Sequence, residues 1–198
     1  MDQSDSKPKA PEAGYRLISM LADHAIMSSV MGVISVPIMI IVFAKTFSAI
    51  GEPKQIDQFN PFEAYLQFSW LLALAFGILM NKDGIKGRSP AKLLFKFQTV
   101  VAKTGEPAGP IRCMIRNITL FLWPIEGIFA LANPSRRLGD FLAGTRIDYF
   151  DSEKHHGDIN WVPLVVAVLL PSAAYYLLFK LWFGLIASLA ALPAGTGA

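Results

Sequence analysis

The 198-residue chain has one cysteine, Cys113, so no disulfide can close within it. A lone thiol of this kind is usually a small apolar filler. Histidine is nearly as scarce. His155 and His156 stand side by side near Asp158, but no third and fourth ligand follows at a spacing that would close a metal site. No serine, cysteine or histidine stands in a nucleophile-and-base pattern, and Gly139, Gly144 and their neighbours make no phosphate-cradling loop. Catalytic residues, a bound metal and a cofactor are therefore all expected to be absent, and the chain is not read as an enzyme. Charge is sparse as well. Only 17% of residues are charged and the net charge is +3, with basic residues flanking apolar runs, which excludes a phosphate-tracking nucleic-acid surface.

What the chain does have is grease. Apolar residues make up 53% and the mean hydropathy is +0.42, values that fit an integral membrane protein. The first 15 residues are polar, and the apolar run after them is too long for a signal-peptide core, so it reads as a retained anchor. Four stretches follow. Leu17 to Ala44 can span a bilayer, with a kink expected at Pro37, and Phe62 to Met80 carries no charge after Glu63. Ile111 to Ala132 is interrupted by Arg112, Arg116, Pro124 and Glu126, so it is either a plain span or a broken, re-entrant element. Trp161 to about Leu192 can cross despite Pro171 and Lys180, the latter able to snorkel. The fold class is an all-α integral membrane protein, a small helical bundle of three to four membrane elements.

Basic residues orient the bundle. Lys82, Lys86, Arg88, Lys92, Lys96 and Lys103 fill the segment 81–110, whereas the 45–61 connection has Lys45 and Lys54 offset by Glu52 and Asp57. The positive-inside rule then puts segment 81–110 and the amino terminus in the cytoplasm, in a multi-pass protein of the plasma (inner) membrane. Segment 81–110 is expected to rest on anionic lipid headgroups. Inside it, Asn81-Lys-Asp-Gly84 and Lys103-Thr-Gly-Glu-Pro107 read as turns, and Leu93 to Val101 as a surface helix or short strand. Arg136, Arg137, Arg146 and Lys154 land outside if the third stretch crosses and inside if it re-enters.

Asp23 is the most costly residue of the first span, since an acid at bilayer depth costs roughly 2.5–3.5 kcal/mol on insertion scales. Arg16 lies seven residues earlier on nearly the same helix face, about 10 Å away along the axis, and side chains lean toward the amino-terminal end. Arg16 therefore points away from Asp23, and no salt bridge is expected between them. The cations expected to meet Asp23 are Arg116, Arg112, Arg136 or Arg137, with Asp140 neutralising Arg16. His24, about 100° around the helix from Asp23, is expected to bond a carbonyl or to lie at the interface.

Four motifs in order carry a family resemblance. Arg16-Leu-Ile-Ser-Met-Leu-Ala-Asp23, Gly87-Arg-Ser-Pro-Ala-Lys92, Arg116 and Arg137-Leu-Gly-Asp140-Phe-Leu-Ala-Gly-Thr145 resemble the RDD family of membrane proteins, whose arginine and two aspartates fall on Arg16, Asp23 and Asp140. Ala91 departs from the glycine more usual in that turn. On this resemblance, 1–14 is a disordered polar tail, 15–149 an RDD-like membrane domain, 150–160 a polar linker, 161–192 an additional membrane helix and 193–198 a flexible tail. The resemblance implies transport of ions or small ligands, with cation/proton exchange suggested for some members.

The polar cluster of Arg16, Asp23, Arg116, Arg137 and Asp140 supports two readings. In one, Asp23 alternates between a proton and a cation, or holds a small ligand, within a carrier. In the other, the cluster is a structural clamp in a non-catalytic accessory or scaffold subunit, because a buried ion missing its partner costs several kcal/mol. Four short elements barely enclose an aqueous path. Besides the lipid bilayer, the expected partners are thus further copies of the chain or other membrane subunits, and no nucleic acid.

Overall fold

A computed structural model describes residues 11–51, 61–150 and 159–190. Most of the expected amino-terminal tail, most of the 150–160 linker with His155 and His156, and the expected tail at 193–198 fall outside them. Three long helices form the shaft. Helix α1, Ala13–Gly51, runs through Pro37 without interruption, and at 1.5 Å per residue its 39 residues reach about 58 Å, far beyond the roughly 30 Å of a hydrocarbon core. Helix α2 is Pro61–Met80, with 20 residues. Three of the hydroxyls on α1 are satisfied locally: Ser29, Thr46 and Ser48 each donate to the carbonyl four residues back.

The connection after α2 turns tightly into helix α3, Pro90–Leu94, and strand β1, Phe97–Val101. The alternatives of helix or strand for Leu93 to Val101 are thus divided between its two halves. At 103–107 the chain folds back on β1, with the Gly105 N–H donating to the Val101 carbonyl and the Val101 N–H to that of Glu106. The third apolar stretch consists of helix α4, Pro110–Asn117, a 3-10 turn at Ile118–Leu122 and helix α5, Trp123–Ala132, and its two limbs are bent by 111°. Pro124 is at that break, as a residue without an N–H should be. Helix α6, Leu138–Ala143, and strand β2, Thr145–Tyr149, follow, and helix α7, Trp161–Ala190, closes the chain.

The short sheet decides the topology. β1 precedes the bent element and β2 follows it, yet the two pair antiparallel, from Phe97 opposite Tyr149 to Val101 opposite Thr145. Strands joined by backbone hydrogen bonds cannot lie on opposite sides of a bilayer. The bent element therefore returns to the side it left. Arg136, Arg137 and Arg146 share that side with segment 81–110.

Packing fixes the shaft's directions. Ile38 and Val42 of α1 meet Leu72 of α2, and Lys82, just past the end of α2, reaches Asp23 near the start of α1, so α1 and α2 run antiparallel. Along α2 and α7, Asn81 reaches the Leu164 carbonyl at 3.5 Å and the Phe76 ring stacks on Tyr175 at 4.8 Å, which makes this pair antiparallel too. Gly77 sets their approach. A Cβ there would collide with Ser172 and the Val168 carbonyl, so only glycine lets the backbones come this close. Most other surfaces of the shaft are apolar and exposed, as lipid-facing helices should be.

Candidate functional site

At the end of the shaft where α1 begins and α2 stops, charged side chains are buried together. Asp23 is only 3% exposed. Beneath it, Ser89 caps α3 and Pro90 fills the first helical position, where its missing N–H is not needed. This turn presents the Ser89 hydroxyl to Asp23 Oδ2 at 2.8 Å and the Ala91 N–H to Oδ1 at 3.3 Å. Lys82 Nζ and Lys92 Nζ each approach Oδ2 at 3.5 Å. The expected arginine partners are thus replaced by two lysines. The segment 81–92 folds up against α1 instead of spreading over the membrane surface, so two of its six basic residues are drawn inward; Lys86, Lys96 and Lys103 stay exposed. Ala91 sits in the first turn of α3 without a positive φ, so its backbone needs no glycine.

A second carboxylate, Asp83, continues the network. It receives Lys92 Nζ at 2.5 Å and Arg116 Nη1 at 2.6 Å. Arg116 then extends Nε to Asp140 Oδ1 at 2.6 Å and Nη1 to the Thr99 hydroxyl at 2.8 Å, tying α4 to β1 and α6. Asp140 also takes Arg16 Nη2 at 3.0 Å, the Arg137 N–H at 3.1 Å and the Thr145 hydroxyl at 2.7 Å. Burial alone would raise the pKa of Asp83 and Asp140. The cations around them outweigh it, Lys92 and Arg116 for Asp83 and Arg116 and Arg16 for Asp140, and hold both well below the usual carboxylate range. Lys82 shows the opposite balance: burial pushes its ammonium down to about 8 against the pull of Asp23 and Asp83.

Glu126 anchors the bend. Its carboxylate accepts the Gly139 N–H at 3.1 Å and the Thr119 hydroxyl. Arg137 Nη1 lies 2.7 Å from its other oxygen, off the line of a hydrogen bond, so that contact is mainly ionic. Arg137 Nη2 donates to Asn117 at 2.7 Å, and Asn117 in turn donates to the Met80 carbonyl at 2.9 Å. Gly139 is required where α6 crosses the end of α4, since a Cβ would strike the Arg116 carbonyl and the Thr119 hydroxyl.

All five residues of the expected cluster, Arg16, Asp23, Arg116, Arg137 and Asp140, thus belong to one network. The Arg16–Asp140 pair is present, as is the separation of Arg16 from Asp23. Arg112 and Arg136 are elsewhere: Arg112 donates to the Ala143 carbonyl at 3.0 Å and Arg136 lies over the Phe141 ring. His24 is exposed. Sequence reasoning missed Lys82, Asp83, Lys92 and Glu126 as members. One signal was available, because Asp83 and Lys92 flank a tight Gly-rich turn next to a membrane boundary, where acid and base can meet.

The network encloses a cavity of about 50 Å³ touching Arg16, Asp23, Lys82, Glu126 and Arg137. Past His24 and Lys82 lies a groove of about 320 Å³ between α1 and α2, lined by Met27, Met31 and Phe76. A family model described as RDD family matches residues 10–186, a range that takes in most of α7 as well as the motifs before Tyr149. No curated protein and no solved structure matches the chain.

Proposed function

The chain belongs to the RDD family of membrane proteins, and from that premise we propose that it is a non-catalytic accessory subunit of a larger assembly in the plasma (inner) membrane, with the buried network as its clamp. One observation carries this reading: each of the four buried carboxylates among the described residues already has at least two partners within the chain. Asp23 has Ser89, Ala91 and two lysines, Asp83 has Lys92 and Arg116, Asp140 has Arg16 and Arg116, and Glu126 has Thr119, Gly139 and Arg137. None awaits a cation. The clamp fastens the sheet and the bent element to the shaft, which gives a rigid cap.

By the positive-inside rule that cap is cytoplasmic, with Lys86, Lys96 and Lys103 toward anionic headgroups. Three crossings then leave the end of α7 on the other side. The outward face of α7, with Leu178, Leu181 and Trp182 exposed, is the surface offered to other subunits or to further copies of the chain. Purification in a gentle detergent tests the proposal. Stoichiometric foreign chains are the expected result, whereas a protein that emerges alone and moves cations in liposomes defeats it.

A second reading keeps Asp23 as an exchange site for a cation and a proton. Its support is specific, because Asp23 borders the cavity and both of its lysine contacts are long, at 3.5 Å. An arriving cation would displace Lys82, whose lowered pKa lets it release a proton. This mechanism requires that Asp23→Asn abolish pH-dependent cation flux while the protein stays folded.

A further inference from the structure

The buried network does not balance. Among the described residues, five cations, Arg16, Lys82, Lys92, Arg116 and Arg137, face four carboxylates, Asp23, Asp83, Glu126 and Asp140, so one positive charge is in excess. All five border the same 50 Å³ cavity, and Arg137 is close enough to repel both Arg16 and Lys82.

Hydrogen bonding is incomplete at the same place. The Nε–H of Arg16 and the Nε–H of Arg137 are buried and have no acceptor among the described residues, although the two residues are only 2% and 3% exposed. A guanidinium has five donors and no acceptor of its own, and buried donors are ordinarily paired. Loss of the Lys82 proton would cancel the charge but leave both N–H groups as they are. Water would accept from the N–H groups but leave the charge. An anion does both.

We propose that the cavity between Arg16, Lys82 and Arg137 binds one small monovalent anion of halide size. Its volume of about 50 Å³ is several times the roughly 10–15 Å³ that a single water needs, so a halide ion has room there. The carboxylates of Asp23 and Glu126 on the same wall limit the charge, since they would repel a divalent oxyanion and the excess to be neutralised is one. The groove that shares His24 and Lys82 with the cavity supplies an approach from the α1 and α2 side.

The test uses the full chain in detergent, with sodium bromide replacing sodium gluconate at constant ionic strength and pH 7 while unfolding is followed by tryptophan fluorescence. A saturable rise in Tm is expected. Lys82→Met, which brings the network to four against four, should remove the bromide dependence. Crystals grown in bromide should show one anomalous peak between the Arg16 and Arg137 guanidinium groups. A Tm that does not saturate, a variant that responds as the parent does, or a cavity holding only water overturns the proposal. Should Lys82→Met fail to fold, the parent titration and the anomalous map still decide.

Discussion

The two ends of α1 obey opposite rules. Its first turns hold Arg16 and Asp23 almost entirely out of reach of the surroundings, whereas farther along Val33, Ile40 and Phe43 stand open. In the cap, polar groups are inside and, apart from one excess positive charge and the two guanidinium N–H groups beside the cavity, matched to one another. In the shaft, the large apolar groups face outward because hydrocarbon is their solvent. A substitution should therefore matter in the cap by what it leaves unpaired, and in the shaft by whether it disturbs close backbone contact.

The sharpest way to break this contrast is to remove the guanidinium that bridges Asp83 and Asp140. Arg116→Leu leaves two buried carboxylates short of a partner, and about 3–5 kcal/mol of stability should be lost. The expected readout is loss of the monodisperse protein in detergent; a variant with unchanged Tm would show that the network is ornamental. Next comes Gly139→Ala, which adds one methyl where α6 crosses α4 and should cost about 1–3 kcal/mol by overpacking. Thermal unfolding checks it, and a neutral result would mean that the crossing gives way.

Alkaline titration probes the cap more gently. Burial pushes the Lys82 ammonium down to about 8 in the folded chain from the 10.5 of a free lysine, so at this group the unfolded chain binds more protons between these limits and its contribution to stability should rise across them. The burden of the buried ammonium is fully present below about pH 8. Its relief is at most about 3 kcal/mol, since each pKa unit is worth about 1.4 kcal/mol. Measured in gluconate, Tm should climb from pH 8 to 9 in the parent and stay flat in Lys82→Met, a window below the range in which the buried Cys113 thiol, pushed up to about 12, resists ionisation. The smallest effect belongs to the shaft: Leu181→Ala, at a position 70% exposed, should change stability in detergent by no more than about 0.5 kcal/mol. A larger loss would reveal that α7 is covered by another chain.

Much of this was legible in the sequence because apolar runs and an expensive acid follow directly from bilayer physics. The spans, the break at Pro124 as one of two alternatives, and the Arg16–Asp140 pairing all rest on reasoning of this local kind. Strand β2 was not foreseen. Thr145 to Tyr149 carries two charges in five residues and earns its strand state from β1, a partner 48 positions earlier at the Phe97–Val101 register. The lysines were misplaced for a related reason. Composition cannot tell a lysine over headgroups from one folded beneath a helix, and the turn that folds Lys82 and Lys92 inward depends on Ser89 finding Asp23. Glu126 read as an interruption of an apolar run, whereas it is what holds the bend.

The Arg16–Asp140 contact joins residues 124 positions apart. At synthesis rates of about 5–20 residues per second, roughly 6–25 s separate the making of the two partners. Throughout that interval the first helix carries an arginine whose final acceptor does not yet exist. Assembly of this end of the molecule is therefore a late event in biogenesis, and the nascent first helix depends on the insertion machinery, or on water at the membrane edge, to shelter its charge until α6 has been made.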